Sequence, residues 1–311
     1  MQKFKEVAVL VNNNSRKSRH SAKDIRNLFK KNDIEVARFH KMTGRQSFKK
    51  ALTTEKEAKP DLLVIGGGDG TIHSIINEVD LDKTTIAILP LGTVNNFARS
   101  LGVNSSLKKA VSAIAGGETK QIHLGSVNGH LFTNLSAIGI SVKVAQNVSD
   151  KSKRFLGRLA YYIQGVYEAA IHKPFMCELK VDDRPTQRFY THQIVVANGK
   201  YHGPVRFTAN ESIESGHLTT VIFGRTRKRL AHLKNIMYFV IPGWVKAQPL
   251  VVRGKNISII TEPSRAVEVD GEAVSQTPAE YELIEKGMKV IYSPRKAKTS
   301  RIKRIKKSVK N

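Results

Sequence analysis

Hydrophobic residues in the first part of the chain fall into short continuous runs that alternate with segments of helical periodicity. The runs predict buried strands at Val7–Val11, Ile34–Phe39, Leu62–Ile65 and Ile86–Leu89. Helices are predicted between and after them, at Ser21–Lys31, Ser47–Lys56, Thr71–Val79 and Leu107–Ala115, with another from about Asn95. Strands separated by helices of about ten residues form parallel sheets, so a doubly wound (Rossmann-like) α/β domain is expected.

The pattern changes after about Gln121, where short apolar runs are separated by Gly, Asn, Asp and Pro. Such spacing predicts an antiparallel β-sandwich or barrel. The predicted strands are Phe132–Ser136, Met176–Val181, Phe189–Ala197, Leu218–Phe223, Ile257–Thr261, Arg265–Val269, Tyr281–Ile284 and Lys289–Tyr292. Helical periodicity interrupts them at Phe155–Ile171 and Lys228–Val240.

The expected class is therefore α/β plus all-β, with two domains and a tail. The α/β domain is predicted at residues 1–124, and the β domain at 125–294, with last strands that can return toward the first domain. The tail, 295–311, carries nine basic residues and no acid. A ligand cleft most often lies between two such domains.

The charge of the chain indicates a binding partner. It has 52 Lys and Arg and only 26 acids, which gives a net charge of +26. Such an excess predicts attraction to polyanions, either nucleic acid or an anionic membrane surface. The tail is read either as a basic amphipathic helix or as a solvated charge run. No apolar stretch reaches about 18 residues, and no signal peptide is recognisable. A cytoplasmic, peripherally membrane-associated protein is expected, and a homodimer is left open.

The segment DLLVIGGGDGTIHSIINEV places a glycine-rich loop between a predicted strand and helix. Glycines let backbone N–H groups approach a phosphate, and the helix N-terminus favours an anion. The acid Asp69 would repel that anion unless Mg²⁺ lay between the two. A tight strand–helix turn, with Asp69 capping the helix, is the structural alternative.

A second loop, LPLGTVNNFARSLGV, follows the next predicted strand. Pro90 sets the turn, Gly92 leaves space, and Thr93 and Asn95 offer short hydrogen-bonding side chains. Because the carboxyl ends of neighbouring parallel strands meet at one edge of a sheet, the two loops predict one nucleotide held between them.

Together these segments resemble the diacylglycerol kinase catalytic family, which includes bacterial soluble lipid kinases and sphingosine-kinase-like enzymes. The resemblance rests on GGDGT and PLGTVNNFAR, on the strand end at Asn12, and on three later segments. Those segments are FTNLSAIGIS from Phe132, VANGKYHGPVRF from Val196 and VEVDGE from Val267. The match covers nearly the whole chain, and the order of the segments is more specific than any one of them.

The resemblance implies Mg²⁺-dependent transfer of phosphate from ATP to a lipid hydroxyl, most simply that of diacylglycerol. It implies ATP contacts in the first domain from Asn12, Gly66, Gly67, Gly68, Gly70, Thr71, Gly92, Thr93 and Asn95. Asp69 would hold the metal, and Glu272 is the candidate base. An ordinary hairpin turn is the alternative for Asp270-Gly271-Glu272.

The chain departs from the family pattern at several carboxylates, which leaves room for a changed substrate or a weak enzyme. Asn96 stands where the family usually has Asp, and Ser141 lies where the family usually has an acid nearby. Glu214 and Ser215 stand where the family often has two aspartates. Two rival functions therefore remain at this point: an NAD kinase-like enzyme, and an inactive protein that binds membranes or nucleic acid through its basic surface.

Overall fold

The computed structural model describes residues 4–13, 22–103, 106–140, 173–198, 201–202, 205–206, 213–223 and 249–292. The two predicted helical inserts and the basic tail lie outside these residues. Within the described ranges there are five helices and eighteen strands. They form a ten-stranded mixed sheet, a six-stranded antiparallel sheet and a two-stranded pair.

The first half alternates strands and helices, as its periodicity predicts. The strands are β1 (Val7–Asn12), β2 (Arg38–Met42), β3 (Leu62–Gly67) and β4 (Thr85–Pro90). The helices are α1 (Ala22–Lys30), α2 (Arg45–Ala58), α3 (Asp69–Ile76), α4 (Asn96–Ser100) and α5 (Leu107–Gly116). All four strands are parallel, in the order β2-β1-β3-β4.

Helices cover both faces of this parallel sheet, which explains why β3 and β4 are buried along their whole length. On one face Ile72 of α3 and Phe97 of α4 pack against Leu63 and Ile65 of β3. On the other face, Ile25 and Phe29 of α1 and Val111 of α5 belong to a separate core cluster with strand residues. The doubly wound arrangement is thereby confirmed.

The remaining strands are antiparallel to their neighbours, with one exception described below. They are β5 (Thr119–Val127), β6 (His130–Phe132), β7 (Leu135–Gly139), β8 (Phe175–Val181), β9 (Gln187–Thr191), β10 (Gln193–Ala197), β11 (Tyr201–His202), β12 (Val205–Arg206), β13 (Leu218–Phe223), β14 (Leu250–Gly254), β15 (Asn256–Glu262), β16 (Ala266–Val269), β17 (Glu272–Gln276) and β18 (Ala279–Ile291).

The second sheet has the order β14-β13-β10-β7-β16-β17, and it packs against the antiparallel part of the first sheet. Their shared core includes Ile138 and Ile194 from the second sheet, and Phe175, Ile257 and Tyr281 from the first. This is the sandwich that the second half of the sequence predicts. The fold class of α/β plus all-β is confirmed.

The strand β18 joins the two halves, because it lies between β4 and β15 in the first sheet. It runs parallel to β4 and antiparallel to β5 and β15. The last strand of the chain thus pairs with a strand of the α/β part. The limits 1–124, 125–294 and 295–311 remain a prediction.

Candidate functional site

The two glycine-containing loops follow β3 and β4 at the same edge of the sheet and touch each other through their backbones. A Cβ atom added to Gly92 would collide with the Cα of Gly68. The N–H groups of Leu91 and Gly92 donate to the carbonyl oxygen of Gly67 at 3.2 and 3.1 Å. A side chain at position 92 would separate the loops, so glycine is needed there for their contact.

Asp69 fastens the second loop to the first through both of its carboxylate oxygens. Oδ2 accepts from the N–H of Asn96 and Oδ1 from the N–H of Phe97, each at 3.0 Å. Asp69 is itself the first residue of α3, which begins after Gly68. The structural alternative was that Asp69 caps the helix after its own loop. Asp69 instead caps α4, the helix after the second loop.

Asn95 closes the second loop on itself from a left-handed backbone conformation with φ 54°. Its Nδ2 donates to the carbonyl oxygen of Gly92 at 2.8 Å, and the residue is buried. Thr93, by contrast, is exposed. Of these two predicted nucleotide contacts, the structure gives Asn95 a loop-closing role and leaves the Thr93 hydroxyl accessible.

Asn12, at the end of β1, reaches the first turn of α3. Its Nδ2 donates to Oγ1 of Thr71 at 2.9 Å. Because the hydroxyl oxygen accepts this bond, its proton is directed elsewhere and is available to an acceptor such as a phosphate oxygen. Gly66 and Gly67 are both buried residues of β3, and a Cβ atom added to Gly66 would lie 3.2 Å from the side chains of Val11 and Leu91.

Glu272 comes to this edge from the second sheet, where it is the first residue of β17. A Cβ atom placed on Gly70 would lie 3.6 Å from Oε1 of Glu272. Glu272 is exposed and lines a cavity of about 420 Å³. The lining residues are Asn12, Met42, Gly44, Arg45, Phe48, Gly70, Thr71, Ser74 and Glu272. Four of the residues predicted from sequence therefore meet in one cavity.

Asp270, which belongs to the VEVDGE segment, is the half-buried centre of a hydrogen-bond network in the second sheet. Its carboxylate accepts from the N–H groups of Thr133, Asn134 and Leu135 at 3.0 to 3.2 Å, and from the Thr133 hydroxyl at 3.1 Å. Burial raises the pKa of Asp270, and the hydrogen bonds and nearby His73 oppose that rise. The Asp-Gly dipeptide at a left-handed turn gave no signal of this network.

Several buried polar atoms near the two loops have no hydrogen-bond partner among the described residues. They are Nδ1 of His73 and Oδ1 of Asn95, Asn96 and Asn134. The described part of the chain contains no group of three or more His, Cys, Asp or Glu that could hold a metal by itself. A cation here would need ligands from a bound substrate as well as from the protein.

The departures from the family pattern have different structural settings. Glu214 forms an ion pair with Lys120, with 2.6 Å between Oε2 and Nζ, and Ser141 lies outside the described residues. Asn96 stands beside the Asp69 carboxylate. No helix in the described ranges combines the length and apolar character that a membrane crossing requires.

Comparison with known proteins identifies relatives of both halves. The model described as "Diacylglycerol kinase catalytic domain" matches residues 6–127, and "YegS C-terminal NAD kinase beta sandwich-like domain" matches residues 135–292. A protein of Staphylococcus epidermidis named "Diacylglycerol kinase" is 28% identical over 243 residues, covering 77% of this chain and 76% of its own.

Two solved structures share the fold. A diacylglycerol kinase from Bacillus anthracis gives a TM-score of 0.73 at 23% identity, with 94% of this chain and 99% of that chain covered. An NAD kinase from Archaeoglobus fulgidus, crystallised in complex with ATP, gives 0.51 at 18% identity, with coverage of 93% and 94%. At these identities the likeness is one of architecture.

Proposed function

Because the chain belongs to the diacylglycerol kinase catalytic family, we propose that it transfers the γ-phosphate of ATP to a lipid hydroxyl, with diacylglycerol as the acceptor and phosphatidic acid as the product. One observation carries the proposal: Glu272 of the second sheet lies beside Gly70 of the first glycine loop, and both line one cavity. A phosphate loop and a proton acceptor contributed by opposite parts of the fold are what phosphoryl transfer requires.

The nucleotide is assigned to the carboxyl edge of β1, β3 and β4. Gly68 and Gly92 offer backbone without side chains, and the hydroxyls of Thr71 and Thr93 offer protons to phosphate oxygens. The N-terminus of α3 adds a favourable electrostatic contribution for an anion. Asn12 supports this site by orienting Thr71, while Gly66 and Asn95 shape the loops.

The residues present fit a Mg²⁺ ion that is shared with the nucleotide. Asp69 retains free lone pairs on both carboxylate oxygens, and Oδ1 of neighbouring Asn96 is buried without a partner among the described residues. Carboxylate and amide oxygens are ligands that Mg²⁺ prefers, with phosphates and water completing the set. When bound, the ion would neutralise charge on the phosphates. Asp69 and Asn96 would hold it.

Glu272 is assigned as the acceptor of the hydroxyl proton, because it is exposed to the cavity. Asp270 lies two residues away and is a second carboxylate with a perturbed environment. Its four accepted hydrogen bonds leave it less accessible, so its assigned role is to hold the Thr133–Leu135 segment beside the site. General-base removal in such reactions costs about 10²- to 10⁴-fold in rate.

The acceptor test uses radiolabelled ATP with a panel of dispersed diacylglycerol, other lipid alcohols and NAD. The wild-type protein is expected to label diacylglycerol, Glu272→Gln to lose about 10²-fold or more, and the exposed β18 variant Glu282→Gln to match wild type. Asp270→Asn is compared for thermal stability as well as rate. Absence of labelled lipid above the Glu272→Gln background would refute the kinase proposal, and labelled NAD would support the NAD kinase rival.

The basic composition supports a second part of the proposal, namely peripheral association with an anionic membrane that holds the lipid acceptor. A net charge of +26 favours such a surface, with about 1 kcal/mol for each basic residue close to it. Co-sedimentation with vesicles of phosphatidylserine and phosphatidylcholine is expected at low salt and to weaken steeply toward 0.5 M. Equal binding to neutral vesicles would contradict this assignment.

A further inference from the structure

The cavity that contains Gly70 and Glu272 has a cationic side chain that the motifs do not include. Arg45, the first residue of α2, lines it together with Met42, Gly44 and Phe48. Among the described lining residues Arg45 is the cation and Glu272 the anion. Within the described part of the chain, the guanidinium forms neither a hydrogen bond nor an ion pair.

The backbone that carries Arg45 is held in place from both ends of α2. In the first turn of the helix, Oγ of Ser47 accepts from the N–H groups of Thr43 and Gly44 at 2.9 and 3.0 Å, and donates to the carbonyl oxygen of Gly44. Three turns later, the buried carboxylate of Glu55 pairs with Arg38 Nε at 3.0 Å and His40 Nε2 at 2.6 Å, both on β2. These contacts fix the start of α2 at the cavity wall.

If the cavity receives the terminal phosphate of a nucleoside triphosphate, Arg45 would compensate negative charge there. The glycine loop supplies neutral N–H groups, and Glu272 repels a phosphate that approaches the acceptor hydroxyl. A cation on the same cavity offsets that repulsion, and the planar guanidinium can donate two parallel hydrogen bonds to one phosphate group.

We propose that Arg45 is a catalytic residue that binds the terminal phosphate of the nucleotide and stabilises its charge during transfer; this rests on the proposed kinase function. In that step the acceptor oxygen bonds to the γ-phosphorus, and the bond from this phosphorus to the β,γ-bridging oxygen breaks. ADP leaves with the electron pair, and the hydroxyl proton passes to Glu272. Arg45 keeps its charge and its protons throughout.

The test compares ATP and ADP binding by calorimetry, in Mg²⁺ and without lipid, to the full-length protein and three variants. Arg45→Gln is expected to weaken ATP binding by about 10- to 100-fold and ADP binding by about threefold at most, because only ATP carries the terminal phosphate. Arg45→Lys keeps the charge without the paired geometry, so an intermediate loss is expected. Lys50→Gln, also exposed on α2 but outside the cavity lining, is expected to bind both nucleotides like wild type.

Equal losses of ATP and ADP affinity in Arg45→Gln would place the guanidinium on another part of the nucleotide and overturn the assignment. Unchanged affinity for both would overturn it as well. A wild-type protein that binds neither nucleotide would instead refute the kinase proposal itself, so the two failures are distinguishable. Matching thermal transitions of the variants exclude misfolding as the cause of a loss.

Discussion

At the scale of single residues, Asp69 shows how one carboxylate can serve both architecture and chemistry. In Asp69→Asn one acceptor becomes a donor that faces the N–H of Asn96 or Phe97. Loss of one or two charge-assisted hydrogen bonds is expected to lower the free energy of unfolding by about 2–4 kcal/mol. Urea titration measures this change, with the exposed Asp82→Asn as a surface control expected to change stability by less than about 0.5 kcal/mol. A variant that loses activity at unchanged stability would show that the carboxylate acts only on the ligand.

Glu268 is expected to make the stability of the protein depend on pH. Burial, with the nearby Asp270 charge, raises the pKa of Glu268 from 4.5 to about 7. The folded state therefore binds this proton more tightly than the unfolded state, and the associated stability is complete below pH 4.5 and lost as pH rises to about 7. The loss is on the order of 3 kcal/mol at most. Glu268→Gln is expected to flatten the wild-type decline of stability between pH 5 and 7.5, and an unaltered slope would contradict the assignment.

At the scale of elements, the contact between the two loops depends on Gly92. A methyl group there would collide with the Cα of Gly68 and lie 2.6 Å from Oδ1 of Asn95. Gly92→Ala is expected to destabilise the fold by about 2 kcal/mol and to abolish ATP binding, because backbone must shift. Gly116→Ala is the matched control: it ends α5 with open space around it, and is expected to be neutral or stabilising by about 0.5–1 kcal/mol. Equal effects of the two changes would refute the packing argument.

The strands of the structure agree with the sequence predictions to different degrees. Leu62–Ile65 and Ile86–Leu89 predict β3 and β4 well, because strands buried on both faces are continuously apolar. The prediction for β2 was displaced, since Ile34 packs in the core from the connection and the strand begins only at Arg38. The strand β18 was predicted as two strands, because a register shift between Ile284 and Met288 interrupts its alternation.

Other elements were not predicted, because their residues are explained only by tertiary contacts. The strand β5 was not predicted, although it supplies a long partner to β18. Its Gly125 lies under the ring of Phe132, so an apparent break in the pattern is a packing position. In the site, the loops and Glu272 were predictable from motifs. Arg45 and the hydrogen-bond network of Asp270 were not, because their surroundings come from elements distant in sequence.

At the scale of the whole molecule, the two halves of the chain are one folding unit because β18 completes the sheet of the first half. Val290 pairs with Ile86 of β4, and Met288, Val290 and Ile291 lie in the core clusters of the α/β part. A fragment of residues 1–124 would turn the fully buried β4 into an open edge and remove those core residues. The fragment is therefore expected to show no cooperative thermal transition.

The full chain and a fragment of residues 1–294 keep β18, so each is expected to unfold in one calorimetric transition with equal calorimetric and van't Hoff enthalpies.

Such coupling would also serve the site, because Gly70 and Glu272 come from the two halves, and independent domains would not hold their separation. A ligand bound in the cavity would then stabilise the entire fold by mass action. A well-dispersed NMR spectrum from the 1–124 fragment would contradict the coupling of the two halves, since it would mean that the first half folds without β18, the strand that flanks β4 in the sheet.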